Sequence, residues 1–508
     1  MKLSKIAFAS MLVVAAGGSF AATAALTCVK SSPVSFVNTC APAATFYVAG
    51  SSALGGAISS VITANSTTGA AGYFDTTGTV PFIVSVIDTG TPNGVSVANP
   101  TNAGKAGNGV TAWYGMSKAS LTGGTSVPVL VVYNSYMGSA AGVSQVLATA
   151  KTVSSIPESF VVKVGPTANV ANTCTAVTTA IPIVGTTSTV TTATNMVACS
   201  SNAAIMADIA ISDVDVTELL ELYPAAAKAK LSAYTRTPVA MQGFAVGVNN
   251  NFYNALQAAQ VTAGALPSTC TTGTYSEVCQ PSISKAQYAS LVSTSGSIKS
   301  AAGFIPGDTT VLTLARRDQM SGTQASSNIH FLSDVCNVLD AKSKINTHGG
   351  ALTARRVADS TADLVIHENV QTGDVETDLK LSTGYSIGVI ALSKANSTSY
   401  KFVKLDGVSP NFAKGSSTLY SSTQLRNNMI DGSWGFQMTA YTVAPKAAMT
   451  YDAKKAPKAE FIKQMVADLS NSTLHDLSAI GYFNGTAKAT KVSRVAGNNC
   501  SPLIAKSN

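Results

Sequence analysis

Residues 315–331 read ARRDQMSGTQASSNIHF. Two arginines and an aspartate stand directly before Ser-Gly-Thr, in a chain of which only 11% is charged. This polar knot lies between an apolar run, TTVLTLA, and a run with helical spacing, ASSNIHFLSDVCNVL. A strand end, a polar loop and a helix start are strung together. Helix N-termini carry unpaired N–H groups and a partial positive charge, so such a junction suits an anion.

Three other segments repeat the pattern. ATFYVAG leads into Ser51-Ser52 and then Leu54, Ile58, Val61 and Ile62. VPVLVVYNSYM leads into Gly138-Ser139 and then Val143, Val146 and Leu147. AAIMADIAI leads into Ser212-Asp213 and then Val216, Leu219 and Leu220. In the stretch already quoted, Ser321-Gly322-Thr323 precede Ala325, Ile329, Leu332, Val335 and Leu339. The i, i+3, i+4 spacings predict helices, and the short β-branched runs predict buried strands. Their alternation predicts an α/β architecture with largely parallel sheets.

Hydroxyls at any one junction serve as helix caps. Four such junctions facing one cleft would hold a tetrahedral oxyanion, because open α/β sheets bind ligands beyond the C-terminal ends of their strands. Arg317 offers a rigid fork of donors. Asp213 has two open roles. It caps a helix, or it accepts a hydrogen bond from a protonated anion. The second role would discriminate: phosphate carries a proton at neutral pH and sulfate carries none, so sulfate would meet an uncompensated repulsion.

Other chemistries lack their residues. His330, His348, His367 and His475 stand alone, with no HExxH or Cys/His cluster. Neither a Walker loop nor a dinucleotide fingerprint is present, so no cofactor is expected. Residues 138–142, GSAAG, put their serine one place off a nucleophile elbow. The formal charge of +8 comes from scattered basic residues, which argues against nucleic acid. The acidic run HENVQTGDVETDLK, residues 367–380, reads as a solvated loop, and Trp113 and Trp434 read as packing residues.

Residues 1–25 have Lys2 and Lys5, an apolar run too short to span a bilayer, and small residues at the end. They predict a secretory signal and a periplasmic or secreted product without a membrane span. Eight cysteines fit that oxidising compartment. Spacing suggests local bridges, Cys28 with Cys40, Cys174 with Cys199, and Cys270 with Cys279, leaving Cys336 and Cys500 far apart. Stretches rich in Thr, Ser, Gly and Ala at about 65–110, 150–203 and 262–306 read as β-rich insertions.

With these residues in place, the chain resembles the PstS-like periplasmic phosphate-binding proteins of ABC importers. Ala49-Gly50-Ser51-Ser52-Ala53 resembles the family's first loop and places Ser52 and Ala53 at the ligand. YNSYMGSAAGVSQV resembles its second loop and places Ser139; IAISDVDV places Ser212 and Asp213. RDQMSGT is similar to Arg-x-Asp-Gly-Ser-Gly-Thr and places Arg317, Ser321, Gly322 and Thr323. Gln319 and Met320 depart from that motif. STGYSIGVIAL, SWGFQMTAYTVA and LSAIGYFNGT resemble later segments, in the family's order.

The resemblance implies a two-lobed, type II binding-protein fold with crossover strands near 242–248 and 434–443. Lobe 1 would be 26–247 plus 433–508, and lobe 2 would be 248–432. The implied ligand is phosphate or a related oxyanion, the implied partner an ABC permease, the state a monomer and the role capture rather than catalysis. Strand alternation would send Arg316 away from the site that Arg317 faces. The alternative is a secreted surface or matrix protein that reuses the fold as a scaffold, which low charge and abundant Thr, Ser, Gly and Ala also fit.

Overall fold

The computed structural model describes residues 27–63, 72–75, 83–88, 110–136, 138–147, 159–164, 174–176, 181–184, 186–191, 194–201, 206–223, 225–293, 296–334, 336, 338–339, 346–347, 360–394, 397–420, 426–450, 457–470, 492–494 and 498–505. The segment read as a secretory signal, 1–25, the closing stretch at 477–486, His348, His475 and much of the 65–110 and 150–203 stretches lie outside them.

Among the described residues, eleven strands form one main sheet. They are β1 (Ala44–Gly50), β2 (Val84–Asp88), β3 (Val110–Met116), β4 (Pro128–Asn134), β5 (Ile209–Ser212), β6 (Tyr234–Asn249), β7 (Leu312–Arg317), β8 (Leu364–Asn369), β9 (Tyr385–Ala391), β10 (Tyr400–Phe402) and β11 (Gln437–Pro445). Their order is β8-β7-β9-β6-β11-β5-β1-β4-β3-β2, with β10 also on β6. The sheet is mixed rather than largely parallel. β1 pairs parallel with β4 and β5, and β7 pairs parallel with β8 and β9, but β2, β3, β6 and β11 run antiparallel to their neighbours.

The 16-residue strand β6 explains the two-sided architecture. Residues Tyr234 to Gly243 pair with β11, and Phe244 to Val248 pair with β9. β11 in turn pairs with β5 through Ala210, Ile211 and Ser212. β6 and β11 therefore link the β1–β5 side to the β7–β9 side. Trp434, just before β11, donates its indole N–H to the Phe244 carbonyl at 3.0 Å, at the point where β6 changes partners.

Five helices frame the sheet's loops and cores: α1 (Gly55–Thr63), α2 (Ser139–Leu147), α3 (Gly322–Ser327), α4 (Thr372–Leu379) and α5 (Pro457–Leu469). On one face of the first side, Phe46, Leu54, Ile58, Trp113 and Tyr133 form a core with Phe461, Ile462 and Met465 of α5. Phe46 and Phe461 stack at 4.1 Å between ring centroids. The other core runs unbroken from Ala49, Val132 and Val143 on the first side to Val246, Leu314, Val375 and Ile387 on the second. α2 packs very close to the end of β1: a Cβ added at Gly142 would lie 2.3 Å from the Gly50 Cα, a distance only glycine permits.

Several segments differ from the sequence expectation. The helix expected to run on to Leu339 stops at Ser327, passes through a π-helical turn at Asn328–Leu332, and ends where Ser333 turns left-handed at φ 50°. Val338–Leu339 instead pairs as a short strand with Asn346–Thr347. The element after Asp213 is a 3-10 helix, Val216–Leu222. The VPFIVSVIDTG fragment, expected in an insertion, supplies the edge strand β2. The 262–306 stretch is mainly turns around helix Lys285–Val292, with one two-residue strand, rather than β-rich. Gln257 organises it by donating to the carbonyls of Thr274 and Cys279 at 2.8 and 2.7 Å.

Disulfides join Cys28 to Cys40, Cys270 to Cys279, and Cys336 to Cys500. Cys174 and Cys199 are direct antiparallel register partners, but their side chains lie outside the described set. No helix among the described residues is long and apolar enough to cross a membrane.

The 336–500 bridge spans 164 residues and fixes the C-terminal tail. Asn499 Nδ2 there donates to Glu218 Oε2 at 2.9 Å, and Thr439 N–H donates to Asn499 Oδ1 at 2.7 Å. A Cys336→Ser/Cys500→Ser variant should lose about 2–4 kcal/mol of stability, the usual worth of a native disulfide. Urea unfolding checks this, and an unchanged midpoint would contradict it.

Candidate functional site

Loops from both sides of the sheet meet beyond the C-terminal ends of β1, β5, β7 and β8. Ser51 and Ser52 follow β1. Ser51 N–H donates to the Ile211 carbonyl at 2.8 Å, which stitches this loop to β5. Ser51 Oγ donates to Asp213 Oδ1 and accepts Leu54 N–H at 3.1 Å. Tyr133 at the end of β4 donates its hydroxyl to the Ser51 carbonyl. Ser139, first residue of α2, accepts the Asp213 N–H on its Oγ at 3.0 Å.

Asp213 follows β5, and it is not the helix cap. Asp215 caps the 3-10 helix, accepting Thr217 N–H at 2.9 Å and donating its own N–H to Glu218 at 3.1 Å. The Asp213 side chain is thereby left to the loops around it. Oδ1 takes Ser51 from one side of the sheet; Oδ2 takes the hydroxyl of Thr323 from the other at 3.4 Å.

Arg317 ends β7 and points into the same cluster. Its Nε donates to the Asn369 carbonyl at 3.2 Å and its Nη2 to the Val370 carbonyl at 2.8 Å. Nη1 donates to Thr372 Oγ1 at 2.8 Å and to Ser52 Oγ at 3.1 Å. These bonds use four of the five N–H groups that a guanidinium carries. Arg316 faces the opposite way and pairs with Glu368, its register partner on β8, at 3.1 Å. Burial pushes the Glu368 carboxyl up to about 7, with Arg316 opposing and Asp318 adding to the rise.

The two sides are in direct contact. Ala140 N–H on α2 donates to the Met320 carbonyl at 2.8 Å. A Cβ at Gly322 would lie 2.2 Å from Ser139 Oγ and 2.8 Å from Asp213 Oδ2, so the middle residue of Ser-Gly-Thr has to lack a side chain. Ser321 caps α3, accepting Gln324 N–H at 3.4 Å, and Gln324 Oε1 accepts the Arg317 backbone N–H at 3.0 Å. Ala53 is buried in the turn after Ser52. Ser52, Ser139, Asp213, Arg317, Gly322 and Thr323 are thus brought into one cluster, with Ser321 acting on the helix behind it.

Sequence reasoning missed Ser51, Asn369, Val370 and Thr372. Ser51 stood in the quoted loop, but the resemblance placed its neighbour Ser52 at the ligand. The other three lie in the acidic run 367–380, which is not a solvated loop. It is the end of β8 plus α4, and its two aspartates are buried: Asp378 accepts Asn369 Nδ2 at 2.6 Å and contacts His367 Nδ1 at 3.0 Å. Asp374 accepts the Gln371 N–H at 3.1 Å. A strand, a two-residue loop and a helix starting at Thr372 repeat the pattern of the other junctions.

Both charges at the centre are buried, with Asp213 1% and Arg317 2% exposed. Burial raises the Asp213 carboxyl to about 6, against the pull of Ser51, Arg317, Thr323 and Ser139. Burial lowers Arg317 to about 10, against Asp213, Asp374 and Asp318. The cluster offers a cation, several hydroxyls and a carboxyl that titrates near neutrality. Among the described residues no group of three or more His, Cys, Asp or Glu could hold a metal ion.

No family model matches the chain, and no curated protein matches it. Solved structures do. A Clostridium perfringens protein assigned as a phosphate ABC transporter substrate-binding protein, with bound phosphate, aligns over 84% of this chain and 96% of its own at 11% identity and a TM-score of 0.37. An ABC-type phosphate transport receptor from Vibrio cholerae aligns over 53% and 75% at 15% identity and 0.28. PstS from Borrelia burgdorferi aligns over 55% and 80% at 13% identity and 0.26.

The raised Asp213 pKa has a consequence for stability. The folded state holds this proton more tightly than the unfolded chain does. The contribution is therefore favourable below about pH 4 and is lost as pH rises to about 6, on the order of 3 kcal/mol. Asp213→Asn lacks that loss, so its stability relative to wild type should improve between pH 4 and pH 7. Urea unfolding at both pH values checks this; an equal difference at the two would contradict it.

Proposed function

We propose that this chain is an exported solute-binding protein that captures inorganic phosphate or a related oxyanion between two lobes, 26–247 plus 433–508 and 248–432. The observation that carries the reading is the cluster itself. Arg317, Asp213, Ser52, Ser139 and Thr323 come from four strand ends, those of β1, β4, β5 and β7, on both sides of the crossover strands and converge on one point. A guanidinium and several hydroxyls supply donors to an anion, and a protonatable carboxylate selects one that carries a proton. Binding would close the lobes about β6 and β11 and present the closed form to an ABC permease. The role is capture by a monomer, not catalysis.

One observation favours the second reading, a secreted scaffold built on the same fold. Arg317 is held by acceptors of the protein itself, and the Cys336–Cys500 bridge ties the α3 side to the C-terminal tail. A scaffold needs such closure and needs no anion.

Titration calorimetry on ligand-stripped protein separates the two. Phosphate should bind and raise the melting temperature, because a ligand that binds only the native state stabilises by mass action. Arg317→Ala should weaken binding by about 1.5–3 kcal/mol or more, the scale of a charged hydrogen bond. Arg316→Ala should cost stability through Glu368 and leave affinity nearly unchanged. No heat of binding and an unmoved melting curve at millimolar phosphate would favour the scaffold.

A further inference from the structure

Thr372 belongs to none of the four junctions legible in the sequence. It opens α4, directly after β8 and the loop of Val370 and Gln371. β8 lies parallel to β7, with Asn369 in register with Arg317, so this fifth junction emerges beside the arginine. Thr372 is 6% exposed, and its Oγ1 lies 2.8 Å from Arg317 Nη1 and 2.9 Å from Ser52 Oγ. The hydroxyl therefore touches both the cation and a serine from the far side of the sheet.

We propose that Thr372 is a further ligand-contacting residue of the oxyanion site, an inference that rests on the anion-capture reading. The guanidinium separates into two parts. Nε and Nη2 are anchored on backbone carbonyls of Asn369 and Val370, which no side-chain motion removes. Among the described residues Nη1 is bonded only to hydroxyls, those of Ser52 and Thr372. A hydroxyl can accept from Nη1 and donate its own proton elsewhere. An oxyanion that displaces either hydroxyl from Nη1 would take a hydrogen bond from the cation, and Ser52 and Thr372, turned toward it, would each donate one more. One step further out, Asp378 accepts the Asn369 amide at 2.6 Å, and the Asn369 carbonyl accepts Arg317 Nε.

The test is calorimetry with phosphate, arsenate and sulfate on wild type, Thr372→Val, Thr372→Ser, Ser52→Ala and the Ser52→Ala/Thr372→Val pair, with melting curves for each. Thr372→Val keeps the shape and removes the hydroxyl, and should weaken phosphate about tenfold, while Thr372→Ser stays within about twofold of wild type. The paired variant should lose less than the product of the two single losses, because the hydroxyls touch. Wild-type affinity in Thr372→Val, in a protein where Arg317→Ala loses binding, would overturn this inference and leave the anion site standing. Equal weakening in Thr372→Val and Thr372→Ser, tracking lower melting temperatures, would assign Thr372 a structural role only. Failure of wild type to bind any of the three anions would overturn both readings.

Discussion

A guanidinium taken out of water has to keep its donors bonded, and Arg317 is almost fully buried. Its acceptors come from β8 and α4 on its own side and from the loop after β1 on the other. The opposite charge, Asp213, is reached by Ser51 and Thr323, again one from each side. Removing one member of a buried charged set leaves the rest uncompensated, which typically costs about 3–5 kcal/mol. The contact between the two sides of the sheet is organised around satisfying these two groups.

The strand topology makes that arrangement possible. β1, β4 and β5 run parallel, as do β7, β8 and β9, so each set delivers its loops to one edge. β6 and β11 hold the sets in fixed order. Small residues then let the loops touch. Gly142 lets α2 approach the end of β1, and Gly322 lets α3 approach Ser139 and Asp213. Arg316 shows the same logic on the other face, where it is paired with Glu368 instead of joining the site.

The strand–loop–helix junctions were legible because short β-branched runs and i, i+3, i+4 spacing are local properties. The opposed directions of Arg316 and Arg317 follow from strand alternation. What local pattern does not carry is tertiary context. The apolar spacing after Ser321 continues to Leu339, yet the helix ends early, at a left-handed Ser333 close to the bridged Cys336. The run 367–380 looks solvated by composition. Its two aspartates are buried because Asn369, His367 and the Gln371 N–H take the place of water. Thr372 was hidden inside that misreading. Ser51 and Ser52 could not be separated by sequence, because only the folded loop sends one hydroxyl to Asp213 and the other to Arg317.

The most direct measurement is a crystal structure of the protein grown with phosphate after ligand stripping. The expected result is tetrahedral density within hydrogen-bonding distance of Arg317 Nη1 and of hydroxyls from both sides of the crossover strands, beside the Asp213 carboxyl. Saturating phosphate with Arg317 Nη1 still bonded to Ser52 and Thr372, and no density between them, would contradict it.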